Sequence, residues 1–228
     1  MVIEFLYKEL MLYGEEKNYD YFKLLFPEAT IIDTGYNDRP YFADHDIDML
    51  FIGPMPENFL DKIITKLEPF KTRLKQLIDN NVMIFIINNA MDIFGESIKV
   101  RNGEPSDTLK LLPYKTIRDY DKRKYQLGKV SFEGQTLVAM QISFSEYFGN
   151  EGHDIYTSLT ANMDGFNSNT KAGGFRINNT FCIEKAGMFF LSNPYLVRRL
   201  RKHFTGDEEI PFNDIMNYQY ERFMEYVK

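Results

Sequence analysis

The sequence predicts an α/β protein, a three-layer sandwich whose mainly parallel sheet carries helices on both faces, with antiparallel strands in the C-terminal half. Three observations carry this. Short and almost wholly apolar runs, such as Asp48 to Gly53 (DMLFIG) and Val82 to Ile87 (VMIFII), suit strands covered on both faces. Segments with helical apolar spacing lie between such runs. After Gly103-Glu104-Pro105 the texture changes to closely spaced strand-like runs.

In chain order, Val2 to Tyr7 reads as a strand, Asn18 to Phe26 as a helix, Ala29 to Gly35 as a second strand and Asp48 to Gly53 as a third. Phe59, Leu60, Ile63, Ile64 and Leu67, then Phe70, Leu74, Leu77 and Ile78, recur at helical spacing, and Pro69 suits the first turn of the second of these helices. Val82 to Ile87 is the fourth strand, followed by a turn into another helix. This alternation predicts right-handed crossovers and a ligand site beyond the carboxyl ends of the strands.

Leu109 to Ile117, Tyr125 to Phe132 and Thr136 to Ser143 read as antiparallel strands. Gly149 to Gly174, rich in Gly, Asn, Ser and Thr, predicts long, mobile loops around one short strand at Ile155 to Thr160. Phe181 to Glu184 and Gly187 to Leu191 are further regular elements, Pro194 to about His203 a helix, and a last helix follows Pro211. Its apolar residues Phe212, Ile215, Met216, Tyr220, Phe223, Met224 and Val227 form one stripe, read as a docking face on the core or, alternatively, as a partner-binding face.

Composition narrows the function. A chain of 228 residues with 44% hydrophobic and 26% charged residues can form one α/β domain or a domain with a modest insertion, and length alone does not choose between them. A net charge of −6 argues against nonspecific nucleic-acid binding, which rests on phosphate neutralisation. The basic run Arg198 to His203 falls at an expected helix end, where cations complement the macrodipole. No stretch reaches membrane-span length and the first residues lack signal-peptide features, so a cytoplasmic protein with no membrane association is expected. The single Cys182 leaves no internal disulfide and no multi-cysteine metal site. The glycine-containing stretches fit neither dinucleotide nor P-loop spacing, so no cofactor is expected.

The stretch VMIFIINNAMDIFGES, residues 82 to 97, is a buried strand breaking sharply into a helix with two asparagines at the turn. Together with Leu12-Tyr13-Gly14 and Asn18, Asp48 to Gly53, and Gly187 to Pro194 (GMFFLSNP), it resembles a class I glutamine amidotransferase domain of the cobyric acid synthase type, nearest to the glutaminase subunits of lipid II isoglutaminyl synthases. Leu111 to Gln141 keeps that family's strand rhythm. The resemblance implies a single domain over 1–228, a flavodoxin-like sandwich in which Ile86 to Gly95 is the nucleophile elbow and Gly187 to Pro194 the histidine strand.

Such enzymes release ammonia from glutamine with a cysteine thiolate, a histidine that handles the proton, and backbone N–H groups that hold the oxyanion. On this chain the family's cysteine falls on Asn88, the next two glycines on Asn89 and Ala90, and the histidine on Ser192. A histidine-glycine pair of an earlier loop falls near Ser143-Phe144. The glycine run after the third strand survives as Gly53 followed by Pro54, which has no N–H to donate. An asparagine amide is a poor nucleophile and a serine no general base near neutral pH. The resemblance therefore implies no catalytic residues and a pseudoenzyme without glutaminase activity.

The expected pocket, lined by Gly53, Asn88, Asn89, Ser143 and Ser192, would hold a small polar or anionic ligand at a helix N-terminus, with no metal. The family further implies an ATP-dependent synthetase or Mur-ligase-like subunit as partner. The alternative is an active amide hydrolase or transferase with relocated residues. For that role Cys182 lies in an apolar strand, where cysteines behave as small hydrophobes. Asp44-His45-Asp46-Ile47-Asp48 reads as a solvated loop rather than a metal site, His153 as a surface histidine, and Ser143, Ser145 and Glu146 as strand-end polar groups.

Overall fold

The apolar runs become the strands of one sheet. In the computed structural model, which describes residues 1–149 and 151–227, the first half of the chain forms β1 (Val2–Leu6), α1 (Lys17–Leu25), β2 (Thr30–Thr34), β3 (Met49–Ile52), α2 (Glu57–Leu67), α3 (Lys71–Asp79), β4 (Met83–Ile87) and α4 (Met91–Phe94). A single 3-10 turn, Glu68–Phe70, separates α2 from α3 and holds Pro69 near its start, where a missing N–H is harmless. The second half forms β5 (Ser97–Val100), β6 (Lys115–Arg118), β7 (Lys124–Phe132), β8 (Gln135–Ser143), β9 (Ser145–Phe148), β10 (Tyr156–Ser158), β11 (Ala172–Gly173), β12 (Phe175–Ile177), β13 (Thr180–Ile183), α5 (Pro194–Thr205) and α6 (Asn213–Tyr226).

The central sheet has six strands in the order β12-β13-β4-β3-β1-β2, all parallel except the edge strand β12. Alternate residues of its strands enter two cores. Leu50, Ile52, Ile84 and Ile86 pack with Leu60, Ile63, Leu67 and Leu74 of α2 and α3. On the other face Phe5, Phe51 and Phe85 meet Phe22 and Leu25 of α1 and Val197 and Leu200 of α5. The helices therefore cover both faces, which completes the three-layer sandwich.

Two smaller sheets follow the central one, β11-β10-β7-β8 and β5-β6-β9. The β7–β8 hairpin closes on Glu133 (φ 48°) and Gly134 (φ 78°), a two-residue turn with both residues left-handed, which matches the twist of its strands. Among the described residues no helix is long and apolar enough to cross a membrane.

Several sequence expectations fail in informative ways. Leu109 to Ile117 is a strand only from Lys115; Leu109, Leu112 and Tyr114 are buried in irregular chain. The N–H groups of Leu109, Leu111 and Leu112 cap the carbonyls of Ile93 and Phe94, so this segment serves α4 rather than a ladder. Gly187 to Leu191 forms turns, not a strand, with Gly187 and Met188 both at positive φ.

The 149–174 segment, of which Asn150 lies outside the described residues, supplies the buried side chains Met163, Phe166 and Asn167 and the strand β11. Lys171 ties it together by donating to the carbonyls of Ala161 and Met163 at 2.6 and 2.7 Å. On α6, only Met216 and Val227 of the expected stripe are buried, whereas Phe212 and Ile215 are each 57% exposed.

Candidate functional site at the elbow

The site grows from the end of β4. Ile87 is extended (φ −107°, ψ 130°), and the next residue, Asn88, turns into the left-handed region at φ 56°. Asparagine tolerates that conformation better than most non-glycine residues, and it sets a sharp strand-to-helix turn at the position where the resemblance puts the nucleophile elbow. A 3-10 turn, Asn88–Ala90, then leads into α4, which ends after one turn at Gly95. Added side-chain bulk at Gly95 would meet the Tyr114 carbonyl at 2.8 Å, so the close passage of that segment stops the helix. A helix this short offers no developed macrodipole, and the anion-holding N-terminus expected from the sequence is not formed.

The apex residue is turned inward. Asn88 is 2% exposed, and its amide nitrogen donates to the carbonyls of Ile142 and Glu184, both at 2.8 Å. The Tyr147 hydroxyl donates to the Asn88 carbonyl at 3.2 Å. Asn88 thus fastens β4 to β8 and to the segment leaving β13.

Asn89 works on the other side of the turn. Its Oδ1 accepts from the Met55 N–H at 3.0 Å and its Nδ2 donates to the Met55 carbonyl at 2.7 Å, the pairing a neighbouring strand would make. Met55 carries the first N–H after Pro54, and Asn89 has taken it. Gly53 is buried beside Met11, whose Cγ would lie 2.9 Å from an added Cβ, and the Pro54 carbonyl accepts from Leu12 N–H at 2.9 Å. The loop that would frame an oxyanion is closed on its own chain.

Under the elbow lies a buried ion pair that sequence reading missed. Arg118 donates through Nη2 and Nε to Asp92 Oδ2 at 2.7 and 3.1 Å, and the Ser145 hydroxyl donates to the same oxygen at 2.9 Å. Ser143 Oγ is occupied with Ser145, donating to its carbonyl and accepting its N–H at 2.9 and 2.8 Å. Asn88, Asn89, Ser143, Asp92 and Arg118 line one cleft, which leaves no room for even a water molecule.

Of the expected site residues, the structure brings Asn88, Asn89 and Ser143 together, and Gly53 sits behind them through Met55. Ser192 does not line this cleft; its hydroxyl faces the Gly187 carbonyl at 3.5 Å. The strand beside β4 is β13, in register from Thr180↔Ile84 to Ile183↔Ile87, so its carboxyl end sets Glu184 and Lys185 next to the apex.

Both are buried, with Lys185 Nζ 3.4 Å from Glu184 Oε1 and 2.7 Å from the Asp164 carbonyl it donates to. Burial, only partly offset by Glu184, lowers the Lys185 pKa. The sequence signal was available: two adjacent charges directly after an apolar strand. Asp92 and Arg118 carried no such signal, being joined only by the fold.

The remaining candidates are engaged elsewhere. Cys182 is fully buried with its sulfur 3.9 Å from the Tyr114 hydroxyl, and burial pushes its thiol pKa up, against thiolate chemistry. Asp44 and Asp46 pair with Arg39 and Arg73, and Asp48 accepts the Val2 N–H at 2.7 Å. His153 lies on Phe175 at the sheet edge, and Glu146 pairs with Lys124 at 2.7 Å. In the basic run, Arg199, Arg201 and Lys202 pair with Glu133, Asp207 and Glu208.

No family model matches the chain, and no curated protein matches it in sequence. Its fold is similar to that of solved glutamine amidotransferases. A crystal structure of one from Thermotoga maritima superposes with a TM-score of 0.56 at 7% identity, covering 99% of this chain and 94% of that one. A second glutamine amidotransferase gives a TM-score of 0.60 at 12% identity, covering 89% of this chain and 98% of that one. At such identities the likeness is one of fold, and it is the fold class the apolar runs predicted.

Proposed function

We propose that this chain is a glutamine amidotransferase-like pseudoenzyme, of the cobyric acid synthase type and nearest to lipid II isoglutaminyl synthase glutaminases. It has lost the Cys-His dyad and acts without catalysis, as a cytoplasmic partner subunit of an ATP-dependent, Mur-ligase-like synthetase. One observation carries the reading. The apex of the elbow keeps its left-handed turn, but its side chain is an amide whose nitrogen donates to two backbone carbonyls, in a cleft without room for a ligand. A residue so held is a fastener, so a role at the protein surface is favoured over ligand binding at Asn88, Asn89 and Ser143.

The alternative, an active amide hydrolase or transferase with relocated residues, finds its best candidates in Lys185 and Glu184. Lys185 has the lowered pKa that such chemistry uses. It is also fully enclosed, and a catalytic group must reach its substrate.

The test is ammonia release from glutamine by the purified protein, alone and with synthetase candidates recovered by copurification from the native cell. No turnover by the isolated chain, together with recovery of a synthetase, is expected. Turnover that survives Asn88→Ala but is abolished by Cys182→Ala or Lys185→Met would overturn the reading.

A further inference from the structure

We propose that the protein carries a second, unrelated site, a cleft on the α5 face of the central sheet that binds a small aromatic carboxylate. The cleft has a volume of about 160 Å³. An apolar cavity of about 150 Å³ takes a benzene ring, so one ring is the right size. Its floor is Met83 and Phe85 of β4 with Phe181 and Ile183 of β13, and Leu196 and Leu200 of α5 form one wall.

The lining chooses the ring. Phe85 stacks on Phe181 with centroids 5.4 Å apart and meets Phe190 edge-on at 4.8 Å, so the cleft is walled by aromatic rings, the surface on which a further ring packs well. The rim chooses the charge. Arg176 of β12 and Arg199 and His203 of α5 stand around the mouth against a single carboxylate, Glu133 from the hairpin turn. With histidine counted neutral at pH 7, two guanidinium groups face one carboxylate here, on a chain of net charge −6.

Glu133 is paired with Arg199. Arg176 has no carboxylate partner among the described residues; it lies 4.6 Å from the Phe181 ring centroid, donates from Nε to the Asn178 carbonyl at 2.9 Å and from Nη2 to Asn179 Oδ1 at 3.4 Å. Nη1 makes no hydrogen bond among the described residues and is the end of the guanidinium left to meet a carboxylate. The site is independent of the elbow, so either proposal can fail without the other.

Phenylacetate is the probe, titrated into the full chain and followed by calorimetry and by chemical-shift changes, with neutral phenylacetamide as control. Saturable one-to-one binding with a dissociation constant on the order of 1 mM is expected for a ligand of this size. Arg176→Gln, or the amide in place of the acid, should weaken it roughly tenfold. Leu196→Trp, which fills the cleft, should abolish it, and shifts confined to the cleft residues of the unaltered protein give the same answer should that variant fold poorly. No saturation by about 10 mM, shifts mapping elsewhere, or equal affinity for acid and amide would overturn the proposal.

Discussion

Replacing Asn88 tests the elbow most directly, because its conformation and its hydrogen bonds can be separated. Asn88→Gly removes both donors but suits φ 56°, and at about 1 kcal/mol per hydrogen bond it should cost about 2 kcal/mol. Asn88→Ala loses the same bonds and adds about 1 kcal/mol for a left-handed alanine, about 3 kcal/mol in all. Asn88→Asp keeps the shape but turns an acceptor toward the carbonyls of Ile142 and Glu184, so it should be the most damaging at neutral pH and partly recover in acid. Urea unfolding at constant slope gives the order. A glycine variant less stable than the alanine variant, or an aspartate tolerated as well as glycine, would refute the assignment of a left-handed, donor-only apex.

Three further outcomes follow from the burial of titratable groups. Glu15 is fully buried, accepts from Asn18 and the Phe189 N–H, and burial pushes its pKa from 4.5 up to about 7. The fold therefore retains the Glu15 proton where the unfolded chain has lost it, and stability from this group declines as pH rises from 4.5 to about 7, by about 3 kcal/mol. Glu15→Gln should flatten that window in denaturation curves and exceed the parent in stability at pH 8; a stability difference independent of pH would contradict this. Arg118→Met, which strands Asp92, should cost about 3–5 kcal/mol, while Arg118→Met with Asp92→Leu should recover part of the loss. Cys182 should react with thiol reagents only as fast as the fold opens, and rapid stoichiometric labelling of native protein would be inconsistent with its burial.

The parallel sheet was legible because strands covered on both faces must be apolar throughout, as Met49–Ile52 and Met83–Ile87 are. The elbow was legible for a related reason, a buried strand ending abruptly in turn-forming residues. Leu109 to Tyr114 misled because burial demands apolar side chains whatever the backbone does, and here the backbone caps a helix. Gly187 to Leu191 misled similarly: Phe189 and Phe190 are core residues on a turn. The length of α4 was hidden because the segment that stops it arrives later in the chain. The role of Glu184 required knowing that β13 lies beside β4, and that of Asp92 required knowing that β6 brings Arg118 to it, information that resides in topology rather than in spacing.

That topology also orders events in time. The neighbour of β4 on one side, β3, precedes it in the chain, but the other, β13, follows about 90 residues later. At roughly 5–20 residues per second of synthesis, one edge of a wholly apolar strand waits on the order of 5 to 20 seconds for its partner. Unpaired edges of this kind recruit other chains. The Asn88 bond to Glu184 can close only when that wait ends, so the elbow is clasped to β13 late in synthesis, shortly before α5 arrives to cover the same sheet.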